Sequence, residues 1–295
     1  MRSKHARSIL LALLVAFLWS TSWVLIKQGL SELPALTFAG IRYGLAFLVL
    51  LPGIWRHRDD VRRLSAGDWA WLSLLGVIFY AFTQGGQFLT LKHLEAIPFS
   101  LILSFTPIAV SFAGVTVLGE RLRGVQWMGI AWVLAGALVY FVPSGGVRGS
   151  WLGLALAGTT LLANSGSALL GRAINRRKMA HPVVVTGISM GIGAVILLAA
   201  GMGTQGVPIL SPRGWGIAAW LAVVNTALAF TLWNVSLQTL SASESSVINN
   251  TMLIQIAILA WLFLGERPGW IQIVGLTLVA GGTLLAQMRK ASRDG

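Results

Sequence analysis

The sequence predicts an all-α integral membrane protein, with ten transmembrane helices arranged as two inverted five-helix repeats around a central cavity. Three observations predict it. Hydrophobic residues make up 56% of the 295, charged ones 11%, and mean hydropathy is +0.77, whereas a soluble domain carries about 25% charged residues. Ten apolar runs can be read, each near the roughly twenty residues that cross a hydrocarbon core as a helix. Finally, Leu118-Gly119-Glu120-Arg121 recurs as Leu264-Gly265-Glu266-Arg267, offset by 146 positions, half the chain. Gln126, Gly129, Gly136 and Leu138 match Gln272, Gly275, Gly282 and Leu284 at that offset, and Leu94, Ala96 and Ser100 match Leu240, Ala242 and Ser246. An in-register set spanning two helices marks one module written twice, over residues 1–146 and 147–295.

The first span, near residues 8–30, follows Arg2, Lys4 and Arg7 in the manner of a signal peptide. No small-residue cleavage site follows, and the apolar run continues through Trp23 and Ile26, so it reads as an uncleaved helix. Turn residues from Ser31 to Pro34 lead into the second span, 34–55, which Pro52 and Gly53 should end. Spans three to five cover 68–91, 96–118 and 124–142, and the Gly- and Ser-rich stretch 143–150 links the halves. The second copy spans 151–173, 182–201, 214–238, 243–264 and 269–288, with turn residues at 208–212 and 268–269. Trp55, Trp69, Trp71, Trp127, Trp151, Trp215 and Trp270 lie near span ends and read as interface anchors.

The net charge of +13 sits in short clusters between apolar runs. It therefore reads as membrane orientation, and no nucleic-acid partner is expected. With the N-terminus in the cytoplasm, sixteen Lys and Arg fall inside and five outside or near the outer edge, namely Lys27, Lys92, Arg148, Arg213 and Arg267; Arg42 alone lies deep within a span. This asymmetry predicts a multi-pass protein of the cell inner membrane with both termini cytoplasmic. Five spans per half is an odd number, so the second copy threads the bilayer in the opposite sense. Inverted repeats are a recurring architecture of secondary transporters, with the substrate site near the midplane.

The chain has no cysteine, which excludes disulfides and thiolate metal sites. It carries no Walker A sequence, HExxH motif or dinucleotide fingerprint, and no metal or cofactor is expected. Gly187-Ile188-Ser189-Met190-Gly191 fits the nucleophile-elbow pattern, but that device needs a strand-to-helix turn and a histidine base. Within an apolar helix, small residues for close packing are the better account, and an enzyme is not expected.

The Leu-Gly-Glu-Arg after the fourth and ninth spans, each followed by Gln and Gly, resembles the EamA repeat of the drug/metabolite transporter superfamily, as does Ile41-Arg42-Tyr43 in the second span. The resemblance covers nearly the whole chain. It implies a ten-helix transporter with a central cavity, moving amino acids, metabolites or drugs, its nearest-looking members being amino-acid exporters. A small-molecule solute and membrane lipids would be its partners; oligomeric state is left open. The family's mid-helix proline is present as Pro107 but its counterpart is Leu253, and Arg42 has no basic partner in the second half, so the halves have specialised.

Polar groups at membrane depth tend to face a bundle interior or a water-filled cavity. Tyr80, Thr83, Gln84 and Gln87 share one face of the third span. Thr231, Asn234 and Gln238 form a stripe in the eighth, with Asn225 about two turns earlier, while Ser100 and Ser104 correspond to Ser246 and Asn250. The first span offers Trp19-Ser20-Thr21-Ser22-Trp23 and the sixth Asn164, Ser165 and Ser167. The candidate substrate-binding residues are Trp19, Ser20, Tyr80, Gln84, Gln87, Ser104, Asn164, Asn225, Trp233 and Asn250. Among them Trp19, Tyr80 and Trp233 could stack on an aromatic or apolar solute. Interhelical hydrogen bonding and packing are the competing roles for each.

Two roles fit Arg42: holding a substrate carboxylate bidentately, or pinning the second helix against backbone carbonyls or a helix C-terminus. Glu120, Arg121, Glu266 and Arg267, at opposite membrane faces, are gate candidates. The alternative is surface ion pairing, worth at most about 1 kcal/mol. No carboxylate or histidine lies at the centre of any span, where proton-coupled transporters usually carry their relay. This predicts a facilitator or uncoupled exporter of neutral, zwitterionic or apolar solutes, working by alternating access.

Overall fold

In hydrocarbon every backbone N–H and C=O must be satisfied within the protein, so apolar runs of this length fold as helices. The computed structural model describes residues 2–118, 124–142, 150–206, 209–237, 239–240 and 242–287. Glu120 and Arg121 lie outside the described residues. Among the described residues the first half forms α1 (Arg2–Gly29), α2 (Ala35–Arg56), α3 (Arg58–Arg63), α4 (Ala66–Leu75), α5 (Gly85–His93), α6 (Ala96–Leu103), α7 (Thr106–Leu118) and α8 (Gly124–Phe141). The second half forms α9 (Trp151–Arg177), α10 (Pro182–Gln205), α11 (Pro212–Ala222), α12 (Ala229–Leu237), α13 (Ala242–Leu264) and α14 (Trp270–Gln287). Seven helical runs are long and apolar enough to cross a membrane, and shorter apolar helices at Ala96–Val110, Ile248–Leu264 and Trp270–Ala286 bring the set to ten. The predicted all-α, ten-span organisation is thus present.

Local departures from regular α-helix have readable causes. The fourth span is broken between α6 and α7, because Pro107 has no N–H to donate and its ring crowds the carbonyl one turn earlier. Its repeat counterpart, Leu253, imposes no such break, and α13 runs unbroken through it. The turn residues Pro52 and Gly53 make no break, and α2 runs to Arg56, one residue past the predicted span. A proline near a helix end forfeits one hydrogen bond, to the carbonyl four residues back, and the following turn can still form. The third and eighth spans each contain a π-helical stretch, Gly76–Gln84 between α4 and α5 and Val223–Leu228 between α11 and α12. Within them the Thr83 hydroxyl donates to Ile78 O at 2.9 Å and the Thr226 hydroxyl to Leu221 O at 2.8 Å, both five residues back. Both repeats therefore widen the same span at the same level, and π-bulges are frequent at functional sites.

Spatially the chain divides into two units, each drawing on both halves of the sequence. One comprises Met1–Thr21, Ala96–Arg148 and Thr231–Gly295; the other comprises Ser22–Glu95 and Gly149–Phe230.

In the first unit α8 packs on α14 through glycines that the repeat relates. A Cβ on Gly129 would lie 2.7 Å from Gly282 O, and one on Gly282 2.7 Å from Gly129 O. Gly136 and Gly275 oppose each other in the same way, again at 2.7 Å. Because 129 corresponds to 275 and 136 to 282, the two contacts exchange under the repeat. That is the signature of an antiparallel pair about a local two-fold axis. In the same unit Ala12, Ala16, Leu240 and Ile248 form an apolar core with Ile9, Trp233 and Met252 around it.

In the second unit α2 packs antiparallel on its own repeat counterpart, α10. Gly40 faces Leu198, Gly191 faces Phe47 and Gly187 faces Ile54. The hydroxyl of Ser189, between the last two glycines, donates to Val185 O at 2.5 Å. The Gly-x-Ser-x-Gly sequence therefore serves helix packing, with the serine tied to its own backbone. A second core, Leu72, Leu75, Leu170, Ile174, Val184, Val185 and Ile188, joins α4, α9 and α10. Trp55, Trp151 and Trp270 at the span ends are 71, 87 and 75% exposed. Trp71 is half-buried, with the Arg177 guanidinium 4.4 Å over its ring.

Candidate functional site

In the Ser22–Glu95, Gly149–Phe230 unit a polar and aromatic cluster forms at Arg42. This arginine is only 5% exposed and sits on the inward face of α2 beside Tyr43. Its Nε donates to the Thr226 hydroxyl at 2.9 Å. Because the Thr226 hydroxyl donates to Leu221 O, five residues back in α11, its oxygen is left to accept from Arg42. The guanidinium carbon lies 5.2 Å from the Tyr43 ring and 6.0 Å from that of Phe88, within cation–π range. Tyr43 in turn donates to Gln84 Oε1 at 2.7 Å and meets Tyr80 edge-on, ring centres 5.5 Å apart. Of the sequence candidates, then, Arg42, Tyr80 and Gln84 belong to one cluster.

The expected face of Tyr80, Thr83, Gln84 and Gln87 is altered by the π stretch, whose period is longer than 3.6 residues. Tyr80 is 2% exposed and packs on Tyr43 and Phe79, and Thr83 is buried against its own backbone. Gln84 and Gln87 are half-buried, as is Asn164 on α9. Asn225 is fully buried, and its Nδ2 donates to the Ser22 hydroxyl at 3.0 Å, joining α1 to the second π segment. Thr226 and Tyr43 are contacts of the site that the sequence did not single out as ligands. The signal available was the Arg42-Tyr43 dipeptide within an otherwise apolar helix.

The Met1–Thr21, Ala96–Arg148, Thr231–Gly295 unit brings together a different set. Trp19 and Trp233 stand 5.2 Å apart between ring centres, tilted by 52°. One residue on, the fully buried Ser20 hydroxyl lies 2.8 Å from Ala16 O and 3.0 Å from Gln255 Oε1. Gln255 Nε2 donates to the Thr251 hydroxyl at 3.0 Å, so a polar chain ties α1 to α13. Ser104, at the α6–α7 break, donates to Leu101 O at 2.6 Å. Its repeat counterpart Asn250 is half-buried, and its Nδ2 is buried with no acceptor among the described residues.

Glu266 does more than a solvated surface residue could. It is 8% exposed, and its two carboxylate oxygens accept the N–H groups of Ala96 at 2.6 Å and Ile97 at 2.8 Å. Those are unsatisfied donors of the first turn of α6, where the helix dipole also favours a negative charge. The geometry begins at Gly265, whose φ of 72° only glycine adopts without strain. It ends α13 and turns the carboxylate back toward α6. Arg267, the next residue, is exposed. The second Leu-Gly-Glu-Arg is therefore a helix stop followed by a helix cap.

The EamA-like transporter family model matches residues 6–142 and again 151–288. A relative named S-adenosylmethionine/S-adenosylhomocysteine transporter from Chlamydia trachomatis serovar L2 is 27% identical over 286 residues, covering 92% of this chain and 87% of the relative. The uncharacterized transporter YwfM of Bacillus subtilis strain 168 is 24% identical over 281 residues, covering 94 and 92%. An uncharacterized transporter of Archaeoglobus fulgidus is 24% identical over 298 residues, covering 97 and 99%. A solved crystal structure superposes with a TM-score of 0.66 at 18% identity, covering 96% of both chains, a likeness of fold. With two matched repeats, ten apolar helices and glycine pairs that exchange under the 146-residue offset, this multi-pass membrane chain belongs to the EamA-like transporter family.

Proposed function

We propose that the protein is an exporter of small neutral or zwitterionic organic solutes, with amino acids as the leading class, working by alternating access without proton coupling. The observation that carries this reading is the exchange of Gly129–Gly282 with Gly136–Gly275 under the repeat. A two-fold related contact between antiparallel helices maps onto itself when the halves swap conformations, so it can persist in both states of an alternating carrier. Glu266 with Arg267 on one face, and Glu120 with Arg121 on the other, act as gates. The protein resides in the inner membrane with both termini cytoplasmic.

The candidate solute contacts form two sets, each within its own unit: Trp19, Trp233, Ser20, Ser104 and Asn250 in one, and Tyr80, Gln84, Gln87, Asn164 and Asn225 in the other. Uncharged amides, hydroxyls and indoles suit a neutral or zwitterionic cargo, because no side chain demands a net charge from it except Arg42. The absence of Asp, Glu and His from span centres supports uncoupled transport. A second reading is a nucleoside-bearing metabolite. The Chlamydia relative is named for S-adenosylmethionine, and a Trp pair 5.2 Å apart offers faces on which an adenine could stack.

Purified protein in liposomes, given a panel of radiolabelled neutral amino acids and S-adenosylmethionine with and without an imposed pH gradient, tests both. Saturable amino-acid counterflow indifferent to the gradient is the expected result. Uptake that follows the gradient refutes the uncoupled mechanism, and uptake of S-adenosylmethionine alone transfers the assignment to the second reading.

A further inference from the structure

We infer that Arg42 is the carboxylate anchor of the transported solute, and that the protein selects for a free carboxylate. The inference rests on the amino-acid reading above and names the group that the site recognises. A guanidinium carries five N–H donors in a planar fork. Here the Nε donor is engaged by Thr226, and the donors on the two terminal nitrogens have no acceptor among the described residues.

A structural pin would have a different appearance. An arginine that fastens a helix to backbone carbonyls would show those carbonyls within hydrogen-bond distance of its terminal nitrogens, and Arg42 shows none among the described residues. An arginine neutralised for stability would have a carboxylate beside it, and none of the described Asp or Glu residues lies within 4.0 Å. Instead the side chain is held from the side, by Thr226 at Nε and by the rings of Tyr43 and Phe88. Tyr43 is itself fixed by Gln84. These contacts orient the fork while leaving its end-on edge, the pair of terminal nitrogens, for a ligand.

That edge matches a carboxylate, whose two oxygens accept two parallel N–H bonds. A cation held at membrane depth is expensive until an anion meets it. The zwitterion's carboxylate would therefore be drawn in, while an amine or amide analogue would meet an unneutralised arginine. The π stretch that carries Thr226 fits this role, since it sets the one hydroxyl that holds Nε at the level of Arg42.

Counterflow of L-phenylalanine and of L-phenylalaninamide in liposomes tests the inference with wild type, Arg42→Gln and Arg42→Lys. Wild type should take phenylalanine with a KM at least about tenfold below that of the amide, the loss expected for one charged bidentate contact. Arg42→Gln should raise the phenylalanine KM about tenfold and leave the amide KM equal or lower, since the unneutralised cation is gone; Arg42→Lys, a point charge without the fork, should recover only part of the difference. Equal impairment of acid and amide by Arg42→Gln would make Arg42 structural and overturn the anchor while leaving amino-acid export standing. Should that variant fail to insert, wild type alone decides, because equal KM values for acid and amide overturn the anchor as well. Transport of neither compound removes the amino-acid reading, and the anchor with it.

Discussion

Glu266 holds the first turn of a helix 170 positions away, its carboxylate accepting the backbone N–H of Ala96 at 2.6 Å. The second oxygen takes Ile97 N–H at 2.8 Å, so one side chain satisfies two donors that the helix itself cannot. Hydrogen bonds to a charged group are worth about 1.5–3 kcal/mol each. Glu266→Ala should therefore lower the thermal midpoint of the detergent-solubilised protein by several degrees. Glu266→Gln, which keeps one acceptor oxygen but no charge, should fall between it and wild type. Equal midpoints for all three proteins would refute the cap.

Gly129 and Gly136 test the two-fold helix pair. A Cβ on Gly129 would collide with Ala286 N, and backbone cannot move aside as a flexible side chain can. Gly129→Ala and Gly136→Ala should each cost about 1–3 kcal/mol, the range for overpacking. Gly203 sits in α10 with nothing within 4 Å of where an alanine methyl would stand, so Gly203→Ala should be neutral or slightly stabilising. Thermal unfolding of the three variants side by side decides the matter.

Pro107 and Leu253 occupy the same place in the repeat but have opposite local effects. Leu253→Pro removes a hydrogen bond inside α13 and should cost about 3 kcal/mol or more, enough to abolish insertion in a folded form. Pro107→Leu should be tolerated in stability, since the span is already interrupted at Ser104 and Phe105. If the break allows one half to move, Pro107→Leu slows counterflow without changing KM.

Asn250 carries a buried amide nitrogen without an acceptor among the described residues, an arrangement that subtracts from stability. Asn250→Ser, which restores the residue type of its counterpart Ser104, should leave the thermal midpoint equal or higher. The same variant should weaken solute transport. A lower midpoint with unaltered transport would assign Asn250 to packing.

Trp19 and Trp233 give a selectivity prediction. If their paired rings receive the solute, Trp19→Ala raises the KM for phenylalanine by about tenfold, the scale of an aromatic contact of roughly 1 kcal/mol plus its buried area. Alanine transport should change little. Equal loss for both solutes would mark the pair as packing alone.

Much of the architecture is local and therefore legible in the residues themselves. The ten spans follow from apolar length, because lipid leaves a chain no alternative to internal hydrogen bonding. The duplication is written in Leu-Gly-Glu-Arg and its matched glycines, and the interrupted fourth span in Pro107, whose geometry acts on its own turn. What the residues did not disclose depends on partners distant in sequence. The Arg42 to Thr226 bond joins positions 184 apart, and the α6 cap joins Glu266 to Ala96. The π stretches arise where Thr83 and Thr226 bond five residues back, which no 3.6-residue periodicity reveals. Likewise the pairing of α2 with α10 and of α8 with α14, which makes each compact unit from both halves, is decided by which small-residue faces meet in three dimensions. Hydrophobicity determines that a helix crosses the bilayer. Only packed neighbours determine which of its polar atoms are already satisfied and which are left for a solute.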